Sequence, residues 1–146
     1  MKILSKIFLM FFVVSCGYQP LLINKNSDFK FGDSKLLGDN KLSSKILNNL
    51  SSFKSQDSNS IIVIKSNFKK NVSSKDEKGN AEVYNIKIDV EISTKLKKKE
   101  LVKSFSESIS YNNRPSSFEL KKYENSIIKT ITEKISQDAF LYLSSL

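Results

Sequence analysis

Hydrophobic and polar positions change rhythm several times along this chain, and each rhythm predicts an element. Ile7 to Val14 is an unbroken apolar run, far shorter than the roughly 20 residues a membrane-spanning helix needs. Pro20-Leu21-Leu22-Ile23 reads as a short strand and residues 24–28 as a polar tether, within a stretch (19–38) that otherwise lacks a clear period. From Asp39 the pattern becomes helical. Leu42, Ile46, Leu50 and Phe53, with Leu47 beside them, form one stripe, and Asp39 stands where an N-cap is expected. Ile61-Ile62-Val63-Ile64 is a β-branched run that predicts a strand buried on both faces. The lysine-rich residues from Lys69 to Gly79 predict a long polar loop.

The clearest period follows. Tyr84, Ile86, Ile88, Val90, Ile92 and Leu96 alternate with Asn85, Lys87, Asp89, Glu91, Ser93 and Lys95, which predicts an antiparallel-type strand with one dry and one wet face. After a turn at Lys97-Lys98-Lys99, Leu101, Phe105, Ile109 and Tyr111 keep one parity in a return strand. Lys103 and Glu107 interrupt it, which suits an edge strand or a bulge. Ser116 and Glu119 have capping-box spacing. They open a helix whose stripe runs Leu120, Tyr123, Ile127, Ile131, Ile135, Ala139, with Ile128 and Leu143. Two amphipathic helices on one face of a small mixed or antiparallel sheet make a two-layer α+β sandwich. The expected boundaries are an export segment over 1–15, a short strand and tether over 16–38, and one domain over 39–146 with its last helix at about 117–144.

The first apolar run acquires meaning from its flanks. Lys2 and Lys6 precede it, and Val13-Val14-Ser15 leads directly into Cys16. That is a lipobox, so the run reads as a cleaved bacterial lipoprotein signal rather than an anchor. Cys16 then becomes the mature N-terminus, carrying covalent N-acyl and S-diacylglycerol groups. Several acyl chains hold a protein on a bilayer where one binds only marginally. Gly17 matters as well, because lipoproteins retained at the inner membrane usually carry Asp there; the expected location is the periplasmic face of the outer membrane.

Charge and composition narrow the function. Cleavage removes Lys2 and Lys6 and takes the net charge from +9 to +7, and Arg114 is the single arginine. A basic exported domain meets little nucleic acid; its anionic partners are phospholipid head groups, lipopolysaccharide or an acidic protein surface. Catalysis is not expected. There is no His, the one Cys is claimed by lipidation, and no Ser sits in a nucleophile-elbow context. Neither a metal nor another cofactor is expected, since no Cys or His cluster exists to hold one.

Two segments resemble a known family, the outer-membrane lipopolysaccharide-assembly lipoproteins (LptE). Mature members commonly begin Cys-Gly-aromatic-x-Pro-Leu, and this chain reads Cys16-Gly17-Tyr18-Gln19-Pro20-Leu21. One branch ends its last strand in Ser-Tyr-Asn before the C-terminal helix, where Ser110-Tyr111-Asn112 stands here. Leu22-Ile23 replaces the family's frequent Tyr-Gly, and Glu82 lies where an Arg is frequent. The resemblance implies a plug and assembly partner inside a large outer-membrane β-barrel, LptD, that takes part in transport and surface insertion of lipopolysaccharide. The competing reading is an accessory subunit of the barrel-assembly machine or a secretin pilot protein.

Two lysine clusters are candidates for contact with the phosphates of lipid A. Lys95, Lys97, Lys98 and Lys99 crowd one hairpin end; Lys69, Lys70, Lys75 and Lys78 crowd the preceding loop. Hairpin pairing puts the two at opposite ends of the sheet, so one orientation in a barrel presents only one of them. The tighter 95–99 cluster is the expected contact. Tyr111 is expected to pack in the sheet or core rather than to meet a ligand.

Overall fold

The computed structural model describes residues 29–96 and 99–146. The order is β1 (Asp33–Gly38), α1 (Asn40–Asn49), a 3₁₀ turn (Ser51–Phe53), β2 (Ile61–Lys75), β3 (Ala81–Leu96), β4 (Lys99–Asn112) and α2 (Ser117–Ser144). The strands lie side by side in chain order as one sheet, with β1 parallel to β2 and the other pairs antiparallel. Both helices pack on the same face. The result is the expected two-layer α+β sandwich on a mixed sheet.

Helix α1 starts where its cap predicts: one Asp39 carboxylate oxygen accepts from the backbone N–H of Lys41 at 3.0 Å and Leu42 at 3.1 Å, satisfying two of the helix's orphan donors. Leu42, Ile46 and Leu50 are buried beneath it, and Phe53 closes the stripe in the 3₁₀ turn. Helix α2 opens on Ser116, whose hydroxyl accepts from Glu119 N–H. Its inward residues Ile127, Ile131, Ile135, Ala139 and Leu143 meet Ile62, Ile64, Ile86, Ile88, Val90 and Ile92 of the sheet in one cluster. Burying each such aliphatic side chain contributes roughly 1.5–3 kcal/mol, which makes this interface the main source of stability.

One expectation lies outside the described residues and two others change. The short strand expected at 20–23 lies outside the described residues, as do the tether and the export segment. The strand that precedes α1 is β1, and residues 29–38 supply two core side chains, Phe29 and Phe31. The Phe29 ring lies tilted against those of Phe31 and Phe53, and Phe53 reaches Phe140 with ring centres 4.9 Å apart. Next, 61–64 is not buried on both faces: Ile62 and Ile64 are inside, whereas Ile61 is 51% exposed. Helices cover one face alone. Finally, the loop expected over 69–79 is strand as far as Lys75. Strand β3 extends down to Ala81, beyond the start of its alternation at Tyr84, and its N–H and C=O groups need partners over that whole length. Pairing recruits polar residues of low strand propensity as far as Lys75, with register shifts between Val72 and Ser74 and between Ser74 and Lys75.

The β1–α1 junction turns on Gly38 (φ +76°), where an added Cβ would lie 2.0 Å from the Ser66 carbonyl oxygen. Ser66 occupies a dry-face position and is buried. It is satisfied locally: its hydroxyl donates to Asp39 C=O at 2.8 Å and lies 2.8 Å from the Ser43 hydroxyl. Edge strand β4 keeps Lys103 and Glu107 on its helix-facing side, where Lys103 lies over the Tyr142 ring and Glu107 pairs with Lys134.

Candidate functional site

The antiparallel hairpins do place the two lysine clusters at opposite ends of the sheet. Cys16 lies outside the described residues, and so do Lys97 and Lys98 and the side chain of Leu96. Lys95 and Lys99 flank that hairpin, Lys95 opposite Glu100 and Lys99 opposite Leu96 in the register.

This end gathers more charge than the sequence spacing shows. The Lys95 carbonyl accepts from the Ser60 hydroxyl, and the Ser60 carbonyl accepts from Gly32 N–H at 2.9 Å. The Ser58 hydroxyl donates to the Lys30 carbonyl at 2.8 Å, and Phe31 bridges to Lys54. Lys30, Lys54, Lys95 and Lys99 therefore share the end by which the chain enters the fold, with Lys35 just inside it on β1. Asp33, Asp57 and Glu100 lie among them. No spacing rule reveals Lys30, Lys35 and Lys54 as neighbours of Lys95, because β1 reaches β2 only through the parallel crossover.

The wet face at this end carries an open groove of about 490 Å³ whose lining includes Lys35, Ile61, Val63, Ser93, Lys95 and Glu100. Val63, Ser93 and Val102 are successive partners across β2, β3 and β4, and Val102 is 54% exposed. Further along the same face the side chains are polar and tied to each other. Asn85 donates to Ser110 at 3.0 Å, Ser106 donates to Asp89 at 2.7 Å, and Lys87 pairs with Asp89 at 2.8 Å. The Lys87 bond first, then that from Ser106, holds the Asp89 carboxyl below its usual range.

At the opposite end the expected four-lysine loop divides. Lys69 is on the wet face of β2 and Lys70 on the helix side, paired with Glu124 at 2.6 Å and 4.4 Å from the Tyr84 ring centre. Tyr111 donates to the same Glu124 oxygen at 2.7 Å and stacks with Tyr84. It belongs to the core, as expected. Burial, and then the neighbouring Glu124 carboxylate, pushes its hydroxyl well above the ordinary value of 10.0. Lys70 is thus committed to a structural knot. Lys75 and Lys78 remain at the hairpin tip. There Asp76 accepts from Lys78 N–H, Asn80 N–H and the Asn80 amide; the Asn80 amide foremost keeps its carboxyl low. Arg114, 4.1 Å from the Tyr123 ring centre, and the exposed Phe118 adjoin this tip at the start of α2.

Among the described residues no group of three or more His, Cys, Asp or Glu side chains could hold a metal ion. No helix among them is long and apolar enough to cross a membrane. Both lysine-bearing ends are open, exposed surfaces.

No family model matches the chain, and no curated protein is similar to it in sequence. Solved structures are similar in fold. Rare lipoprotein B from Shewanella oneidensis is 14% identical with a TM-score of 0.61, over 78% of this chain and 95% of that one. An uncharacterized lipoprotein B from Nitrosomonas europaea is 15% identical with a TM-score of 0.59, over 80% and 84%. A minor lipoprotein from Acinetobacter baumannii is 9% identical with a TM-score of 0.56, over 80% and 94%. At these identities the likeness is one of fold.

Proposed function

We propose that this chain is a lipid-anchored plug and assembly partner of an LptD-type outer-membrane β-barrel, acting in the transport and surface insertion of lipopolysaccharide. The reading makes it a binding protein without catalytic activity or cofactor, held by acyl groups on Cys16 at the periplasmic leaflet. The observation that carries it is a coincidence of two independent features. A lipobox precedes the domain, and the domain has the fold of three proteins that are themselves lipoproteins. The wet sheet face fits the role, since a barrel lumen is polar and water-filled. Anchoring also raises the effective concentration of the plug near its barrel.

The anchor gives this reading an orientation. From Cys16 to Phe29 the backbone spans at most roughly 45 Å, whereas the fifteen residues of β2 cover roughly 50 Å. A tether no longer than the sheet favours an orientation with the entry end toward the anchoring leaflet and the β2–β3 tip directed into the barrel. In this orientation contact with lipid A phosphates passes from Lys95 and Lys97–Lys99 to Lys75, Lys78 and Arg114.

The test is gentle solubilisation of outer membranes, capture through a C-terminal tag, and identification of partners by mass spectrometry. A near-stoichiometric LptD-like barrel is the expected result. Recovery with the barrel-assembly machine or a secretin would replace the proposal with an accessory-subunit role.

A further inference from the structure

We infer that the end of the sheet bearing Lys30, Lys35, Lys54, Lys95 and Lys99 is a second, non-covalent membrane contact, seated on the anionic phospholipid head groups of the leaflet that holds the anchor. The inference rests on the Cys16 anchor and gives that reading a contact surface.

Three observations converge on it. The first is charge. Five lysines, of which Lys30 also donates to the Ser52 carbonyl, gather here with three carboxylates, Asp33, Asp57 and Glu100, among the described residues. None of the four ion pairs among the described residues involves these five lysines. The second is apolar exposure at the same place. Ile61 and Val102 are each more than half exposed beside the groove, where the same face a few residues further on presents Lys65, Asn67, Glu91 and Ser104. Apolar side chains framed by lysines suit the head-group region, because a lysine stem lies along apolar surface while its ammonium reaches a phosphate. The third is position. Gly32 and Lys30 are tied to this end, so the chain leads from it toward Cys16.

Stable anchoring commonly combines acyl chains with a basic patch, and an anionic leaflet attracts lysines only within about a Debye length of its surface. The anchor brings this end within that range. It also limits tilting of the domain, since five separated lysines fix a face where a single tether fixes only a point.

The experiment reconstitutes the acylated mature protein into vesicles of phosphatidylcholine alone or mixed with phosphatidylglycerol, and reads lysine acetylation by mass spectrometry. Lys54, Lys95 and Lys99 are expected to react several-fold more slowly in phosphatidylglycerol vesicles and to recover in high salt, with Lys75, Lys78 and Lys121 unchanged. In the double variant Lys54→Glu, Lys95→Glu, Lys99 is expected to lose its protection while the protein stays membrane-bound. Equal reactivity in both vesicles, or protection at the β2–β3 tip instead, overturns the inference and leaves the anchor standing. In a third set of phosphatidylcholine vesicles carrying lipopolysaccharide, protection that phosphatidylglycerol does not give also overturns it, assigning the cluster to lipid A. A protein that fails to partition into vesicles at all overturns the anchor and the inference together.

Discussion

Gly38 carries two backbone constraints at once. Its positive φ and the Ser66 carbonyl oxygen, 2.0 Å from where a Cβ would stand, act together, so Gly38→Ala should destabilise by about 2 kcal/mol or more; urea unfolding would show it as a lowered midpoint. Tyr111 makes a different kind of statement. A hydroxyl whose folded-state value is raised stabilises fully below its ordinary value of 10.0 and loses that contribution as pH climbs toward the folded value. Stability should therefore decline above pH 10, and Tyr111→Phe should flatten that part of the profile at a cost near neutrality of about 1 kcal/mol. A pH series of unfolding curves on both proteins decides it; an unchanged alkaline slope would rule the tyrosine out as its source. The Glu124 carboxylate keeps Lys70 in the variant, which is why the neutral-pH loss is small.

At the scale of elements, exposure separates neighbours that look alike in sequence. Ile64→Ala should cost about 2–5 kcal/mol, whereas Ile61→Ala, half exposed on the uncovered face, should stay within about 1 kcal/mol. Phe31→Ala, outside the region expected to fold as the domain, should cost about 3–5 kcal/mol. Denaturant midpoints of the three variants test the assignment of faces. Much of this architecture was legible. Asp39 and Ser116 mark their helix starts by cap chemistry, and the alternation from Tyr84 to Ile92 reports one covered face. What escaped was non-local. Phe29 and Phe31 sit in a stretch with no period, and their burial depends on Phe53 and Phe140 arriving from elsewhere in the chain. The strand from Lys69 to Lys75 exists because β3 needs a partner, and its own Lys, Asn and Ser residues advertise a loop. Ser66, polar on a dry face, becomes intelligible only once Ser43 and the Asp39 carbonyl stand beside it.

For the whole molecule, the sequence locates chemistry at its ends but not which end faces what. The lipobox pattern is legible because all of its residues are contiguous in the chain. The lysine surfaces are not, since Lys30, Lys35 and Lys54 meet Lys95 only through the β1–β2 crossover. The proposed orientation separates the two clusters. Reversing charge at Lys75 and Lys78 should weaken lipopolysaccharide binding to the purified protein, while reversal at Lys97, Lys98 and Lys99 should leave it unchanged; the opposite pattern would invert the proposed orientation. Cys16→Ser should release the domain from the membrane fraction, as fractionation and immunoblotting would show.

The chain's route from anchor to fold has a mechanical side. It passes under Phe53 as Phe29 and Phe31 before becoming β1, and Phe53 is itself clamped by Phe140 of α2. A tug from the bilayer would thus meet a ring cluster joining the first and last elements. Behind it, β1 is held to β2 in parallel over the register from Asp33 to Gly38. Load applied along that strand shears all of its hydrogen bonds together instead of peeling them one at a time. If the proposed anchor and barrel partner hold, a domain tethered by its N-terminus is braced at the point where drag from that barrel would reach it.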